Sequence, residues 1–303
     1  MTIADSRAAD ALGGRVIAVL NTASGGWDVH AEGRVRDIFA AAGHAHAEIV
    51  SVPPDQIDEA LGKAVADADV LVVLGGDGTI RAAAAKCAGF AAFLIPLPGG
   101  TMNMLPKALY GTRAWPEALA DTLAAPEVHD VSGGMVGDHA FFVAALLGAP
   151  TLWADAREAV RAGHLVEAVE KSATALRRGM SEPLEYQFGD TLRGAAEAVA
   201  VVCPLISKVM KEEERMLEAA AIDPETAGEA LRLGFHALFD GWREDPTVTR
   251  AKVKHLTVTG HGRVPVIVDG ERVQMGRNVE IHFTPLAFRA LVPTRREEAP
   301  ATP

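Results

Sequence analysis

Three short glycine-bearing segments in the first third of the chain combine residue types that bind phosphate. They read NTASGG (residues 21–26), GGDGT (75–79) and PGGTMN (98–103), and each follows an apolar run. Glycines allow several backbone N–H groups to converge on one anion, and the positive end of a following helix adds to the attraction. Thr79 and Thr101 add hydroxyl donors. These residue types predict a site for a phosphate-bearing ligand.

Asp77 is the unusual member of the second segment, because a carboxylate and a phosphate repel each other. A cation between the two removes the repulsion, and Mg²⁺ prefers oxygen ligands and bridges phosphate oxygens. The segments therefore suit a nucleoside triphosphate with magnesium. Other phosphate motifs are missing, since the chain has no G-x-x-x-x-G-K-[ST] and GDGTIR lacks the last glycine of a dinucleotide fingerprint.

Four apolar runs must position these segments. They are RVIAVLN (15–21), AEIVSV (47–52), VLVVL (70–74) and AAFLIPL (91–97), and helical patterns separate them. Strands that are apolar on both faces and alternate with helices predict a doubly wound parallel sheet over about the first 125 residues. Ligands of such sheets bind beyond the carboxyl ends of the strands, where all three glycine segments lie.

The pattern changes after residue 127, where a two-residue alternation with glycine-rich turns predicts an antiparallel, sandwich-like β-rich domain. The expected fold class is therefore α/β, with a nucleotide-binding domain (1–127) and a β-rich acceptor-binding domain (128–285). Within the second domain, residues 152–178 are predicted to be helical. A last strand within 286–303 suits either domain, and it is followed by a loose tail. The first 15 residues are also predicted to be loose.

Composition excludes several classes of protein. The net charge of −11 argues against a nucleic-acid partner and against strong attraction to an anionic membrane. Cys87 and Cys203 are the only cysteines, which is too few for a disulfide framework or a thiolate metal site. No apolar run approaches the roughly 20 residues of a transmembrane helix, and no signal peptide is expected. A cytoplasmic location is the default expectation.

Taken together, the motifs resemble the diacylglycerol kinase catalytic-domain family, which includes bacterial lipid kinases, sphingosine kinases and ceramide kinases. That family belongs to a larger group with the NAD kinases and, more distantly, the phosphofructokinases. The three glycine segments are similar to the family's N-P-x-S-G-G, G-G-D-G-T and P-x-G-T-x-N. VIVDGERV (266–273) resembles its D-G-E, and FTPLAFRALVP (283–293) resembles its closing strand. The motifs occur in the family's order at compatible separations over nearly the whole chain.

The resemblance implies that ATP and Mg²⁺ bind in a cleft between the two domains. The positions that match nucleotide-binding residues are Asn21, Ser24, Gly25, Gly26, Gly75, Gly76, Gly78, Thr79, Gly100, Thr101 and Asn103. Asp77 is the expected metal ligand and organises the metal and phosphates, or it helps to deprotonate the acceptor. Glu271 matches the general base of bacterial lipid kinases, and Asp269 beside it completes the predicted catalytic set. Asp-Gly is also the commonest hairpin turn signal, so a hairpin is the structural alternative for this motif.

The chain departs from the family pattern at several positions. Thr22 replaces a proline, Arg81 and an alanine replace an Asn-Glu pair, and Met104 replaces an aspartate. The segment Pro204–Trp242 replaces a glycine-rich turn and an acidic segment that holds a structural magnesium in bacterial relatives. The segment is predicted to be helical, with Ile206, Val209 and Met210 on one side, so the structural metal is not carried over.

The sequence therefore predicts an ATP- and Mg²⁺-dependent kinase that phosphorylates a hydroxyl of diacylglycerol or a related lipid, with a role in lipid metabolism and phospholipid biosynthesis. The acceptor would be met by peripheral membrane contact or by extraction from the membrane. One alternative is a kinase of the same fold with a soluble acceptor, including NAD. The other is a nucleotide-binding protein that has lost catalysis, which the altered segment 204–242 favours.

Overall fold

The computed structural model describes residues 3–148, 183–207, 209–223 and 241–294. The chain divides into two compact units, the first formed by residues 1–131 and 286–303 and the second by residues 132–285. The helix predicted over 152–178 and the loose tail after residue 294 lie outside the described residues.

The first unit contains a parallel sheet. Its strands are β1 (Val16–Asn21), β2 (Glu48–Val52), β3 (Val70–Gly75), β4 (Phe93–Pro98) and the last residues of β16 (Asn278–Pro293). The order is β2-β1-β3-β4-β16, and all four pairings are parallel. All residues of β3 are buried, because helices cover both faces of the sheet. The closing strand belongs to this unit, where Ala290 pairs with Leu94.

Six helices accompany this sheet among the described residues. They are α1 (Ile3–Leu12), α2 (Ala31–Ala41), α3 (Ile57–Asp67), α4 (Asp77–Cys87), α5 (Met104–Tyr110) and α6 (Trp115–Ala124), and a short 3₁₀ turn covers Pro54–Gln56. Apolar residues at helical spacing explain α3, whose residues Ile57, Leu61 and Val65 are buried. None of the described helices is long and apolar enough to span a membrane.

The prediction of a loose N-terminal segment is wrong, because residues 3–12 form α1. Ala8 and Leu12 lie one helical turn apart, and both are buried. Residues four apart lie on the same face of a helix, so this pair gives α1 a small apolar side that packs against the first unit. Four of the six apolar residues of this helix are alanines, which bury little surface, so its pattern is too weak a signal to identify a packed helix from the sequence.

The strand order explains where a ligand of the first unit would bind. The chain leaves β1 towards β2 on one side and leaves β3 towards β4 on the other side. The loops after β1 and β3 therefore diverge at neighbouring strand ends, which is the topological switch point where open α/β sheets bind ligands. The loop after β4 lies next to that point, because β4 pairs with β3.

The second unit is built from antiparallel strands. They are β5 (Pro126–Val136, shared with the first unit), β6 (His139–Phe141), β7 (Ala144–Gly148), β8 (Leu184–Phe188), β9 (Leu192–Ala196), β10 (Ala198–Val202), β11 (Leu217–Ile222), β12 (Val248–Val253), β13 (His255–Thr259), β14 (Pro265–Val268), β15 (Glu271–Gln274) and the first residues of β16. One sheet has the order β12-β11-β10-β7-β14-β15, and β16-β13-β8-β9 form another antiparallel group. An apolar core that includes Phe141, Val199 and Ile281 lies within this unit. The predicted fold class, a parallel-sheet domain followed by an antiparallel β-rich domain, is confirmed.

The prediction that Pro204–Trp242 is helical is wrong in the described part of that segment. Residues 217–222 form β11, which pairs with β10 on one side and β12 on the other. Short 3₁₀ turns occur at Glu212–Glu214 and Gly241–Glu244, while Val209 is exposed and Met210 is buried. Five of the six residues of β11 are buried. Burial between two strands therefore overrides the helix propensity of its alanines and glutamate.

Candidate active site

The three glycine segments lie side by side at the carboxyl ends of β1, β3 and β4. Backbone hydrogen bonds join them directly: the Gly26 N–H donates to the Gly99 carbonyl at 2.8 Å, and the Gly99 N–H donates to the Gly75 carbonyl at 2.9 Å. The structure thus brings all predicted nucleotide-binding residues into one group of loops within the first unit.

The glycines of these loops fall into two groups. A Cβ on Gly26 would lie 2.8 Å from the Gly99 Cα, one on Gly100 would lie 2.7 Å from the Gly76 Cα, and one on Gly75 would collide with the Thr79 side chain. Packing between the loops therefore requires glycine at these positions. By contrast, a Cβ on Gly25 or Gly76 would meet one neighbouring backbone atom, at 3.6 and 3.7 Å, and neither residue has a positive φ. No contact among the described residues requires glycine there, so the backbone at both positions can be approached closely by a ligand.

Asp77 joins the second loop to the third. Its two carboxylate oxygens accept hydrogen bonds from the backbone N–H groups of Asn103 at 3.0 Å and Met104 at 2.7 Å. These N–H groups stand at the start of α5, so Asp77, the first residue of α4, caps a different helix. The carboxylate thereby holds α4 and α5 together.

Asn103 and Asn21 have similar connecting roles. Asn103 has a left-handed backbone (φ 50°), and its side chain accepts a hydrogen bond from the Gly100 N–H and donates one to the Gly100 carbonyl, both at 2.7 Å. Asn21 donates from Nδ2 to the Thr79 hydroxyl oxygen at 3.0 Å and accepts from the Ala23 N–H. The amide groups that the sequence suggested as ligand contacts therefore hold the three loops in place.

The remaining polar groups of the loops suit an anion. The N-cap residue of α4 is Gly76, which has no side chain that could cap the first N–H groups of this eleven-residue helix. The Ser24 hydroxyl is buried and has no hydrogen-bond partner among the described residues. Uncapped N–H groups, the positive end of the helix dipole and a buried hydroxyl donor fit a phosphate group.

The loops provide little for a metal ion beyond Asp77. Within the described residues, no group of three or more His, Cys, Asp or Glu side chains could hold a metal. Mg²⁺ commonly binds through one or two carboxylates together with phosphate oxygens and water, and Asp77 can supply one such carboxylate. Each Asp77 oxygen already accepts one backbone hydrogen bond. Only the lone pairs that remain on these oxygens would therefore be available to bind Mg²⁺.

Asp269 and Glu271 lie in the second unit, on the hairpin that joins β14 to β15. Asp269 and Gly270 both have positive φ, at 47° and 92°, as a two-residue hairpin turn of the I′ type requires. The Asp269 carboxylate accepts hydrogen bonds from three consecutive backbone N–H groups, those of Phe142, Val143 and Ala144, at 2.8, 3.0 and 2.9 Å. This arrangement favours a structural role for Asp269 over the catalytic role predicted from the sequence.

Glu271 is the exposed first residue of β15, opposite Val268 across the turn. Cys203 is close enough to Asp269 for their charges to interact, and it is buried. Burial, together with the Asp269 charge, raises the pKa of the Cys203 thiol well above the usual range. Cys203 is therefore protonated at neutral pH and is not a nucleophile. Of the carboxylates predicted to be catalytic, Glu271 is the one that is exposed to solvent.

Two tryptophans next to the first loop were not identified from the sequence. The Trp115 indole N–H at the start of α6 donates to the Gly26 carbonyl at 2.9 Å, and the Arg34 guanidinium lies 5.2 Å from the Trp115 ring centre. The Trp27 indole nitrogen, directly after the loop, is buried without a hydrogen-bond partner among the described residues. Proximity to NTASGG was a possible signal for Trp27, but Trp115 is 89 residues from Gly26 and no spacing rule connects them.

A second group that the sequence did not reveal lies in the second unit. The Arg243 guanidinium makes two hydrogen bonds to the Glu218 carboxylate, at 2.7 and 3.1 Å, and the Ser207 hydroxyl donates to the same carboxylate at 2.6 Å. Glu218 is only 2% exposed. The ion pair joins β11 to the turn Gly241–Glu244, and Glu218 lies within the segment predicted to be helical.

Comparison with known proteins supports the resemblance seen in the motifs. Residues 15–136 match the family model described as the diacylglycerol kinase catalytic domain. A crystal structure of a candidate diacylglycerol kinase from Bacillus anthracis str. Sterne superposes with a TM-score of 0.70 at 18% identity, covering 92% of this chain and 97% of that chain. A second structure, of a diacylglycerol kinase from the same organism, has a TM-score of 0.66 at 16% identity with the same coverage. No curated protein matches the sequence. The resemblance to the diacylglycerol kinase catalytic-domain family is confirmed.

Proposed function

Residues 15–136 match the diacylglycerol kinase catalytic domain, and from this premise we propose that the protein is an ATP-dependent lipid kinase. It transfers the γ-phosphate of ATP to a hydroxyl of diacylglycerol or a related lipid. The observation that carries the proposal is the group of loops at the switch point of the first sheet. There the uncapped start of α4 and the buried Ser24 hydroxyl, which has no partner among the described residues, provide donors for a phosphate.

The nucleotide-binding role rests on two groups of loop residues, one that holds the loops together and one that leaves the backbone open to a ligand. Asp77, Asn103 and Asn21 hold the loops in place through hydrogen bonds within the protein. Gly25 and Gly76 leave the backbone accessible to the triphosphate, while Thr101 lies in the third loop and Gly78 in the first turn of α4. Mg²⁺, when bound, would neutralise phosphate charge and polarise the transferred group.

Glu271 is the proposed general base. The oxygen of the acceptor hydroxyl forms a bond to the γ-phosphorus while the bond to the bridging oxygen of ADP breaks, and the hydroxyl proton passes to the Glu271 carboxylate. Support comes from the match to the family's D-G-E motif and from the exposure of Glu271 on its hairpin. The Asp269 carboxylate supports this base by holding the hairpin against the N–H groups of residues 142–144.

The acceptor and the setting follow from the family match and belong to the same proposal. Diacylglycerol is the first candidate acceptor, so the proposed role is in phospholipid metabolism, in the cytoplasm and in peripheral contact with the membrane that holds the substrate. A kinase of this fold with a soluble acceptor such as NAD would use the same loops. The acceptor assay below separates the two classes.

A second candidate function is nucleotide binding without phosphate transfer. The observation that favours it is that two of the three carboxylates predicted to be catalytic, Asp77 and Asp269, are bonded to backbone N–H groups of the protein. In this case the loops bind ATP, but no acceptor is phosphorylated.

The test is phosphate transfer from radiolabelled ATP with Mg²⁺, using diacylglycerol in mixed micelles in one reaction and NAD in another. We expect label in the lipid with the wild-type protein and loss of most of it with Glu271→Gln. Label in NAD alone would identify a soluble-acceptor kinase. Binding of ATP in a thermal shift assay, without label in diacylglycerol, in NAD, or in lipid and metabolite extracts offered as further acceptors, would establish the second candidate and refute the kinase.

A further inference from the structure

The first loop contains a tight turn whose two ends carry indole and hydroxyl donors. The turn comprises Ser24–Trp27, and the Trp27 N–H donates to the Ser24 carbonyl at 3.0 Å. The Cα atoms at the two ends of such a turn lie within about 7 Å of each other. The side chains of Ser24 and Trp27 therefore leave the backbone close together, on either side of the two glycines.

Both side-chain donors of this turn are buried without an acceptor. The Ser24 Oγ and the Trp27 Nε1 have no hydrogen-bond partner among the described residues. More than about 90% of buried polar groups in folded proteins are hydrogen-bonded, so two exceptions within four residues require an explanation. The two groups are placed by a well-fixed backbone, since the Ser24 N–H donates to the Asn21 carbonyl and the Gly26 N–H donates to the Gly99 carbonyl.

Trp115 shows the contrasting case beside the same turn. Its indole N–H has an acceptor within the protein, the Gly26 carbonyl at 2.9 Å, and the side chain is 6% exposed. The indole of Trp115 therefore completes the protein's own structure. The indole of Trp27 is a donor only, so its partner has to be an acceptor that comes from outside the described residues.

We propose that the Trp27 indole N–H binds a phosphate oxygen of the nucleotide, together with the Ser24 hydroxyl. The inference rests on the proposed nucleotide binding and adds to it a residue that the motifs do not contain. Gly25 stands between the two donors along the chain, and a Cβ there would meet only the Gly99 carbonyl at 3.6 Å, so the backbone between the donors is open to a ligand. The neighbouring Asp28 does not oppose an anion, because its carboxylate is paired with Arg34 at 2.9 Å and accepts the His30 N–H.

A structural role and a ligand-binding role for Trp27 predict different effects of substitution. Trp27→Phe keeps an aromatic ring but removes a donor that has no partner, so the protein without ligand loses no hydrogen bond. Nucleotide binding, however, loses a hydrogen bond to a charged oxygen. Trp115→Phe is the matched control, because it removes an indole donor that has an acceptor within the protein.

The experiment measures thermal unfolding and the affinity for Mg²⁺–ATP by calorimetry for the wild-type protein and both variants. Trp27→Phe should weaken ATP binding by roughly tenfold or more while the melting temperature without ligand stays within about a degree of the wild-type value. Trp115→Phe should lower the melting temperature without ligand. Inorganic tripolyphosphate is the second probe, and its affinity should fall in Trp27→Phe as that of ATP does.

A direct readout covers the case in which Trp27→Phe also lowers stability. The chain has four tryptophans, so a nitrogen-15-labelled protein gives four indole N–H signals, and the Trp27 signal is the one missing from Trp27→Phe. On saturation with Mg²⁺–ATP this proton should move downfield as its hydrogen bond forms, and the Trp115 proton should move less.

The outcomes separate this inference from the function on which it rests. If the wild-type protein does not bind ATP, the proposed function is refuted and the inference falls with it. If it binds ATP while Trp27→Phe binds equally well, or the Trp27 signal does not move, the inference alone is refuted. Weaker ATP binding with unchanged tripolyphosphate binding would also overturn the assignment to a phosphate oxygen.

Discussion

Replacing Asp269 and Glu271 separately should show that the Asp269 carboxylate holds the hairpin in place and that the Glu271 carboxylate accepts the proton. Asp269→Asn is the more informative change at the first position, because asparagine adopts the left-handed backbone of this turn as readily as aspartate. The substitution therefore alters only the side-chain hydrogen bonds. Glu271→Gln is the matched change two residues later, on the exposed start of β15.

The expected loss of stability for Asp269→Asn follows from its three hydrogen bonds. One carboxylate oxygen accepts the N–H groups of Val143 and Ala144, and the other accepts that of Phe142. An amide keeps the first two as weaker neutral bonds but turns its NH₂ group towards one of the three donors. The variant loses one charge-assisted hydrogen bond, weakens two others and places its NH₂ group against a backbone N–H. Together these changes should lower the free energy of unfolding by about 3 kcal/mol. For a chain of 303 residues, the usual entropy of unfolding per residue converts this loss into a melting temperature that is roughly 5 °C lower.

The assay combines thermal unfolding by circular dichroism with phosphate transfer, measured well below both melting temperatures. Asp269→Asn should unfold at the lower temperature and retain much of its transfer activity per folded molecule. Glu271→Gln should melt within about 2 °C of the wild-type protein, as exposed substitutions do, and lose at least about a hundredfold in transfer rate. A normal melting temperature with abolished transfer in Asp269→Asn would refute the structural role. Full activity in Glu271→Gln would refute the proposed base.

Three further predictions follow from the described contacts. Gly76→Ala should fold normally but lose ATP-induced stabilisation in a thermal shift assay, whereas Gly100→Ala should lower the melting temperature without ligand, because its Cβ would lie 2.7 Å from the Gly76 Cα. Equal behaviour of the two variants would contradict the division of the glycines into a packing group and a ligand-facing group. Arg243→Met should lower the free energy of unfolding, measured in urea, by about 3–5 kcal/mol because it leaves the Glu218 charge buried and uncompensated. Adding Glu218→Gln should restore part of this free energy, and an unchanged stability of the single variant would show that the ion pair is dispensable. Burial raises the pKa of Cys87 to about 12 and that of Cys203 well above its usual value. A thiol reagent at pH 8 should therefore label neither cysteine in the folded protein and both in denaturant, and rapid labelling of the folded protein would contradict this burial.

The sequence alone determined the four parallel strands of the first unit and the glycine segments that follow three of them, because local patterns encode these features. Apolar runs such as Val70–Leu74 and the glycine segments after them define buried strands and their carboxyl ends without reference to distant residues. The motif order also showed the resemblance to the family whose model matches residues 15–136. Helix α1 and strand β11 were not predicted, since both depend on burial against residues far along the chain, which outweighs local propensity.

For the candidate site, the sequence determined which residues gather at the end of the sheet, and only the tertiary structure decided what each of them does. Asp77, Asn103 and Asn21 were predicted to contact the ligand, and in the folded chain their side chains join the loops to one another. Residue type and spacing report that a group can accept or donate a hydrogen bond. They do not report which partner it finds, because partners such as Trp115 and Gly26 come from distant parts of the chain and meet only after folding.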